Sequence, residues 1–271
     1  MTKKSISKKK LSVEDKYKLY EASVQNSPAD IDFVNKEYKK FFNRPALTLR
    51  EDFGGTAQLA CLWAKQSKKH ESFAVDLDPE PVEYGKKHHL SKLSKNEQKR
   101  VHYVMGNVLE KQKFSTDVVC AFNFSYFIFK ERQTLLKYFK RAYKSLNKNG
   151  AFFLDIFGGT ESYDVLVEET DHGTHSYFWD CEKYNPITNE VLYYIHFKQD
   201  GVKHEQAFTY DWRMWSIQEI VELLQEAGFD EVKTYWEEDE EGTDEGSGDF
   251  YESREEENCE SWVTYIVGLK K

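Results

Sequence analysis

The stretch LTLREDFGGTAQLACLWAKQSKKHESFAVDLD, from Leu47 to Asp78, decides the fold. Leu47–Arg50 reads as a short strand running out into Glu51 and Asp52. Phe53-Gly54-Gly55-Thr56 follows as a tight loop, Ala57–Lys65 as an apolar helix, and Ser72–Val75 as a second strand tipped by Asp76, Leu77 and Asp78. Strand, glycine loop, helix and strand with an acid at its tip is the nucleotide-binding half of a doubly wound sheet. The glycines let backbone approach a ligand closely. Asp76 lies 21 residues past Gly55, where a carboxylate can take both hydroxyls of a ribose.

Working outward, Pro79–His88 reads as a helix and Val101–Met105 as a third strand that ends in Gly106-Asn107-Val108. Asp117–Ala121 is a fourth strand running into Phe122-Asn123-Phe124-Ser125-Tyr126-Phe127. In open α/β sheets ligands lie beyond the carboxyl ends of the strands, so these loops should share one ligand-facing edge. Lys130–Leu146 carries Leu135, Phe139 and Ala142 at helical spacing, and Ala151–Ile156 is apolar enough for a strand covered on both faces.

Then the periodicity changes. His175–Cys181, Glu190–Gln199 and Val202–Trp212 alternate with period two, and Asp200-Gly201 between the last two is a hairpin turn signal. Ser216–Ala227 is a helix opened by the capping box of Ser216 and Glu219 and closed by Gly228. Phe229–Trp236 and Ser261–Lys270 read as sixth and seventh strands. The fold class is therefore α/β: a doubly wound seven-stranded sheet, mostly parallel with an antiparallel last strand, interrupted over residues 160–214 by a three-stranded antiparallel meander. The whole of 13–271 reads as one domain with that insertion.

Charge is unevenly distributed. The net charge is −9, yet Glu237–Glu260 alone hold thirteen acids and one arginine. That segment, 237–260, has no helical or strand period and reads as a disordered, solvated loop. Five lysines in the first ten residues mark 1–12 as a mobile basic tail. The body lacks the basic excess of a nucleic-acid binder. Four widely spaced cysteines form no C-x-x-C pair, no metal site is visible, and no run reaches the ~18 apolar residues of a membrane span. A cytoplasmic protein is expected.

The loop departs from the G-x-G-x-x-G of dinucleotide sites, and Glu51 and Asp52 would repel a pyrophosphate; a cationic sulfonium meets no such repulsion. The stretch resembles the motif of class I S-adenosylmethionine-dependent methyltransferases, of the small-molecule type with a β-meander insertion. Glu51 stands at that family's acid and Gly55-Thr56 at its Gly-Thr; Phe53 stands where its first glycine usually is, and Ala57 where another often is. The closing antiparallel strand is a further likeness. The resemblance implies S-adenosyl-L-methionine as cofactor, held by the loop Glu51-Asp52-Phe53-Gly54-Gly55-Thr56, by Asp76 with Leu77, by Asn107 with Val108 at the adenine, and by Asn123, Phe124 and Ser125 after the fourth strand. It also implies an N-terminal cover, for which Tyr20 and Gln25 are the candidates.

Arg50 could bind the methionine carboxylate or instead bridge to Glu51 or Asp52. The implied reaction is methyl transfer to a nitrogen or oxygen of a small molecule, with Tyr126, His196, Tyr210 and Asp180 as candidate proton acceptors. The meander reads as an acceptor pocket, a homodimer surface or a lid. The alternatives are a methyltransferase acting on tRNA or protein, and a non-catalytic cofactor-binding interaction module.

Overall fold

The computed structural model describes residues 10–239 and 246–271. In chain order the elements are α1 (Val13–Val24), α2 (Ser27–Phe42), β1 (Thr48–Asp52), α3 (Gln58–Lys65), β2 (Glu71–Asp76), α4 (Pro79–His88), α5 (Lys95–Gln98), β3 (Val101–Met105), β4 (Thr116–Ala121), α6 (Arg132–Ser145) and β5 (Leu146–Gly158). After these come β6 (Val167–Asp171), β7 (Ser176–Asn185), β8 (Glu190–Gln199), β9 (Val202–Arg213), α7 (Ile217–Ala227), β10 (Glu231–Asp239), β11 (Gly246–Glu252) and β12 (Trp262–Lys270). They fall into two compact units, one of residues 26–162 with 215–271, the other of the chain up to Gln25 with 163–214.

The larger unit is a sheet in the order β11-β10-β12-β5-β4-β1-β2-β3. The run from β3 to β5 is parallel, and β12 lies antiparallel between β5 and β10. Every residue of β4 is buried, as is β5 from Gly150 onward, which is why both read as unbroken apolar runs. On one face α2 and α3 bring Val34, Tyr38 and Trp63 onto Leu49, Val118 and Phe153. On the other, Tyr138 and Phe139 of α6 meet Phe152, which stacks on Phe229. The capping box of α7 forms, and Gly228 ends the helix at φ 112°.

Among the described residues the sheet has eight strands where seven were expected. The additional strand, β11, comes from the acidic segment expected to be disordered: β10 runs on to Asp239 and pairs with Gly246–Glu252. Residues 240–245 of that segment, and 1–9 of the basic tail, lie outside the described residues. This edge strand, GSGDFYE, turns only Phe250 onto the core and is otherwise exposed, so it shows no apolar alternation in the sequence.

The smaller unit is a four-stranded antiparallel sheet, β6-β7-β8-β9, where three strands were expected. β6 is exposed along its whole length and therefore carries no pattern. Asp200 and Gly201 both take positive φ, 51° and 75°, as the hairpin signal required. Within this unit α1 buries Leu19 against Ile195 and Phe197, and the Tyr20 ring lies 4.6 Å from Phe208. Among the described residues no helix is long and apolar enough to cross a membrane.

Candidate ligand site at the carboxyl edge of the sheet

The loop after β1 makes one tight turn that delivers the chain into α3. Gly54 N–H donates to Val75 O at 3.0 Å and Ala57 N–H to Gly54 O at 2.6 Å. Phe53, Gly55 and Ala57 all lie in the left-handed region, at φ 55°, 52° and 56°. Two of these are not glycine, although each such residue costs about 1–2 kcal/mol there. The backbone path is thus kept at the two positions where the glycines are absent. Phe53 is supported by ring contacts to Phe129 and Tyr138.

Asp76, at the tip of β2, ties this loop down. Its Oδ2 accepts from Gly55 N–H at 2.7 Å and its Oδ1 from Asp78 N–H at 2.7 Å. Leu77 N–H also leans on this carboxylate, which still has acceptor capacity beyond these donors. Burial pushes its pKa up, against the pull of those backbone donors. Leu77 beside it is 65% exposed, and Met105, the register partner of Asp76 on β3, is 53% exposed. Two large apolar side chains standing in water at neighbouring strand ends offer a flat ligand face.

Behind the loop, Gly85 of α4 packs on the backbone of Thr56: a Cβ there would lie 1.8 Å from the Thr56 carbonyl oxygen. Gly85→Ala should therefore lower Tm by several degrees despite alanine's better helix propensity, because backbone must move. Unchanged melting in calorimetry would mean that the contact between α4 and the loop is loose.

After β4, Asn123 and Phe124 are consecutive left-handed residues, both at φ 56°. Their N–H groups converge on the Asp155 carboxylate of β5 at 2.6 and 2.9 Å. Ser125 Oγ donates to Phe122 O at 2.8 Å. Asp155 was not among the sequence candidates; its signal was a lone acid inside the apolar run Ala151–Ile156. Around it burial raises three carboxyls: Glu51 to about 8, Asp155 to about 8 and Asp30 to about 6. Glu51 also accepts from Ala60 N–H in the first turn of α3, and Asp30 accepts from Tyr265 Oη.

Several candidates lie elsewhere. Arg50 is 0% exposed and spends Nε on Asp52 (2.5 Å) and Nη1 on Ser145 (2.8 Å), while Tyr138 Oη donates to the other Asp52 oxygen at 2.8 Å. Arg50 and Asp52 are thus a sealed ion pair under α6, and the bridging alternative holds. Tyr126 is fully buried, its hydroxyl donating to Asp155 O at 2.9 Å, and burial holds the phenol well above its ordinary range. Asn107 uses its side-chain carbonyl to accept Leu109 N–H at 2.9 Å, a turn role that leaves one lone pair, and Val108 is buried.

In the smaller unit, His196 Nδ1 accepts Gln206 N–H at 2.7 Å, so Nε2 carries the proton and donates to Asp180 at 2.8 Å. Gln206 stands at φ 53° where the β8–β9 register breaks. His196 satisfies that bulge and has no lone pair left for a substrate proton. Tyr20 and Tyr210 are joined side chain to side chain, and burial first, then the neighbouring tyrosines, drives the Tyr210 phenol well up. Among the described residues no group of three His, Cys, Asp or Glu side chains could hold a metal ion.

No family model matches the chain, and no curated protein matches it in sequence. Solved structures do match it. One is an S-adenosylmethionine-dependent methyltransferase from Clostridium acetobutylicum ATCC 824, 17% identical, with TM-score 0.69 over 94% of this chain and 98% of the other. Another is Streptomyces venezuelae DesVI, 12% identical, with TM-score 0.69 over 97% and 100%. A third is S-adenosylmethionine-bound CalS10, an amino pentose methyltransferase from Micromonospora echinaspora, 10% identical, with TM-score 0.66 over 97% and 99%. The chain has the fold of these three structures over almost its full length.

Proposed function

We propose that this protein transfers the methyl group of S-adenosyl-L-methionine to a nitrogen or oxygen atom of a small molecule. The observation that carries the reading is the cluster of buried acids at the site. Burial raises the carboxyls of Glu51, Asp155, Asp30 and Asp76 around the carboxyl ends of β1, β2 and β5, so a cation that favours their ionised forms is taken up there, and a pyrophosphate, which would disfavour them further, is not. The fold agrees, and the names of two of the neighbours describe methyltransferases, one of them an amino pentose methyltransferase. When bound, the cofactor supplies an electrophilic methyl group open to in-line attack.

The chain's residues fit the parts of that molecule. Asp76 accepts from the ribose hydroxyls with its remaining lone pairs. Leu77 and Met105 cover the base, and Asn107 offers the second lone pair of its carbonyl to the adenine amine. Gly54, Gly55 and Thr56 bring backbone close, with Phe53 as a wall, and the backbone of Asn123-Phe124-Ser125 borders the methionine end. With His196, Tyr126 and Tyr210 committed elsewhere, an amine that arrives unprotonated is the acceptor that needs no protein base. The aromatic sheet of the smaller unit, with Tyr20 and Tyr210, is a candidate surface for a small molecule or for a homodimer contact. Four free cysteines, three of them buried, suit a cytoplasmic protein.

The test is a thermal-shift comparison of S-adenosylmethionine, S-adenosylhomocysteine, NAD and NADP. A ligand at 100 times its Kd stabilises by about 2.7 kcal/mol, so the first two should shift Tm by several degrees. A shift with NAD alone would overturn the reading.

A pH dependence follows. Glu51 and Asp155 titrate higher in the folded protein than in the unfolded chain, so their contribution to stability is full at low pH and is lost as pH rises from the ordinary carboxylate range through about 8. A bound cation favours their ionised forms. Binding of S-adenosylmethionine at pH 7 should therefore release protons, and its affinity should rise between pH 6 and 8 more than that of the uncharged thioether S-adenosylhomocysteine. Calorimetry in buffers of different ionisation heat measures the release; none would remove these carboxyls from the site.

A further inference from the structure

At the same edge of the larger unit, beyond β5, two cavities of about 250 and 540 Å³ adjoin the side chains of Trp236 and Trp262. The two indole rings stand 5.4 Å apart at 44°. Trp262 lies flat against β5 because its register partner is Gly158, where a Cβ would come within 2.3 Å of the ring. Thr264, on the wall of the smaller cavity, is fully buried, and its hydroxyl has no hydrogen-bond partner among the described residues. A buried hydroxyl left unpaired is a standing cost, which a ligand group in the cavity would remove.

Charge fixes the class of that ligand. The smaller cavity is rimmed by Glu255, Glu256 and Glu257 with Arg254 as the single cation, and the larger by Glu161, Glu237, Asp239 and Glu260 with none. Burial raises the Glu237 carboxyl, against the pull of the Gly248 N–H it accepts at 2.9 Å, and an ammonium ion would favour its ionised form. Indole faces bind organic ammonium ions, carboxylates neutralise them, and an ammonium N–H can donate to a threonine oxygen. A bare metal ion would leave the tryptophans and the threonine unused. The two volumes, sharing the tryptophans, suit an elongated molecule with spaced charges.

We propose that this Trp236–Trp262 cleft is a binding site for a short alkyl polyamine. The site is separate from the glycine loop, and the proposal does not depend on methyl transfer.

Titrating the full chain with spermidine at 0.15 M salt, without any adenosyl ligand, tests it by calorimetry and tryptophan fluorescence. Saturable 1:1 binding is expected, weakened at least tenfold in Trp236→Leu and in Thr264→Val and unchanged in Asp76→Ala. Thr264→Val should also raise the Tm of the free protein, because it deletes the unpaired hydroxyl at nearly constant volume; that variant carries the test should Trp236→Leu fail to fold. Binding that does not saturate, or that is equal in wild type and Thr264→Val, would be counterion association with the acidic rim and would overturn the proposal. Loss of spermidine binding in Asp76→Ala would move the site to the glycine loop and overturn it equally.

Discussion

Asp76→Ala should abolish measurable binding of S-adenosylmethionine while leaving the fold in place. The carboxylate is asked to accept two hydrogen bonds from a ribose, each worth about 1.5–3 kcal/mol to a charged acceptor, so affinity should fall by at least about a hundredfold. It also holds Gly55 N–H at 2.7 Å, so the loop loses its tether together with the ligand contact. Stability should change little by comparison, because burial already disfavours the charge in the free protein. Asp76→Asn separates the two roles: the amide oxygen can still take one backbone N–H, so the loop keeps its path while the charge is gone. Circular dichroism establishes that both variants fold, and calorimetry measures their affinity. An alanine variant that binds as tightly as wild type would remove Asp76 from the site.

The parts of this site legible in the sequence were those fixed by local chemistry. A strand, a Gly-Gly turn, an apolar helix and a strand ending in an acid follow one another within Leu47–Asp78, and local geometry leaves them few arrangements. The departures at Phe53 and Ala57 left the backbone path open in the sequence. In the structure both residues take the left-handed conformation, at a cost that ring contacts help offset for Phe53. What could not be read were tertiary facts. Gly85 matters because α4 lies on the Thr56 carbonyl, which no spacing announces. His196 looked like a base on a strand face, and only the break at Gln206 shows that a backbone N–H has taken its lone pair. β6 and β11 were missed because exposed strands carry no apolar alternation, and their acids imitate solvated loops.

Arg50→Met should be the most destabilising of these substitutions, by about 3–5 kcal/mol, because it strands Asp52 in the core. In the wild type Asp52 has two partners, the guanidinium at 2.5 Å and Tyr138 Oη at 2.8 Å, and neither side chain of the ion pair reaches solvent. Even so, the Asp52 carboxyl is raised, burial outweighing the attraction of Arg50. Buried ion pairs of this kind recover little beyond their desolvation cost, and Arg50 adds a liability of its own, since its Nη2 has no hydrogen-bond partner among the described residues. This sets an expectation for the double variant. Arg50→Met with Asp52→Leu should recover most or all of the loss, because apolar side chains of similar size avoid both desolvation costs. Melting by calorimetry decides the matter: a Tm lower by roughly ten degrees for the single variant, near wild type for the double. If the double variant melts as low as the single, the pair stabilises this core outright, and the asymmetry argued from the Asp52 carboxyl is wrong.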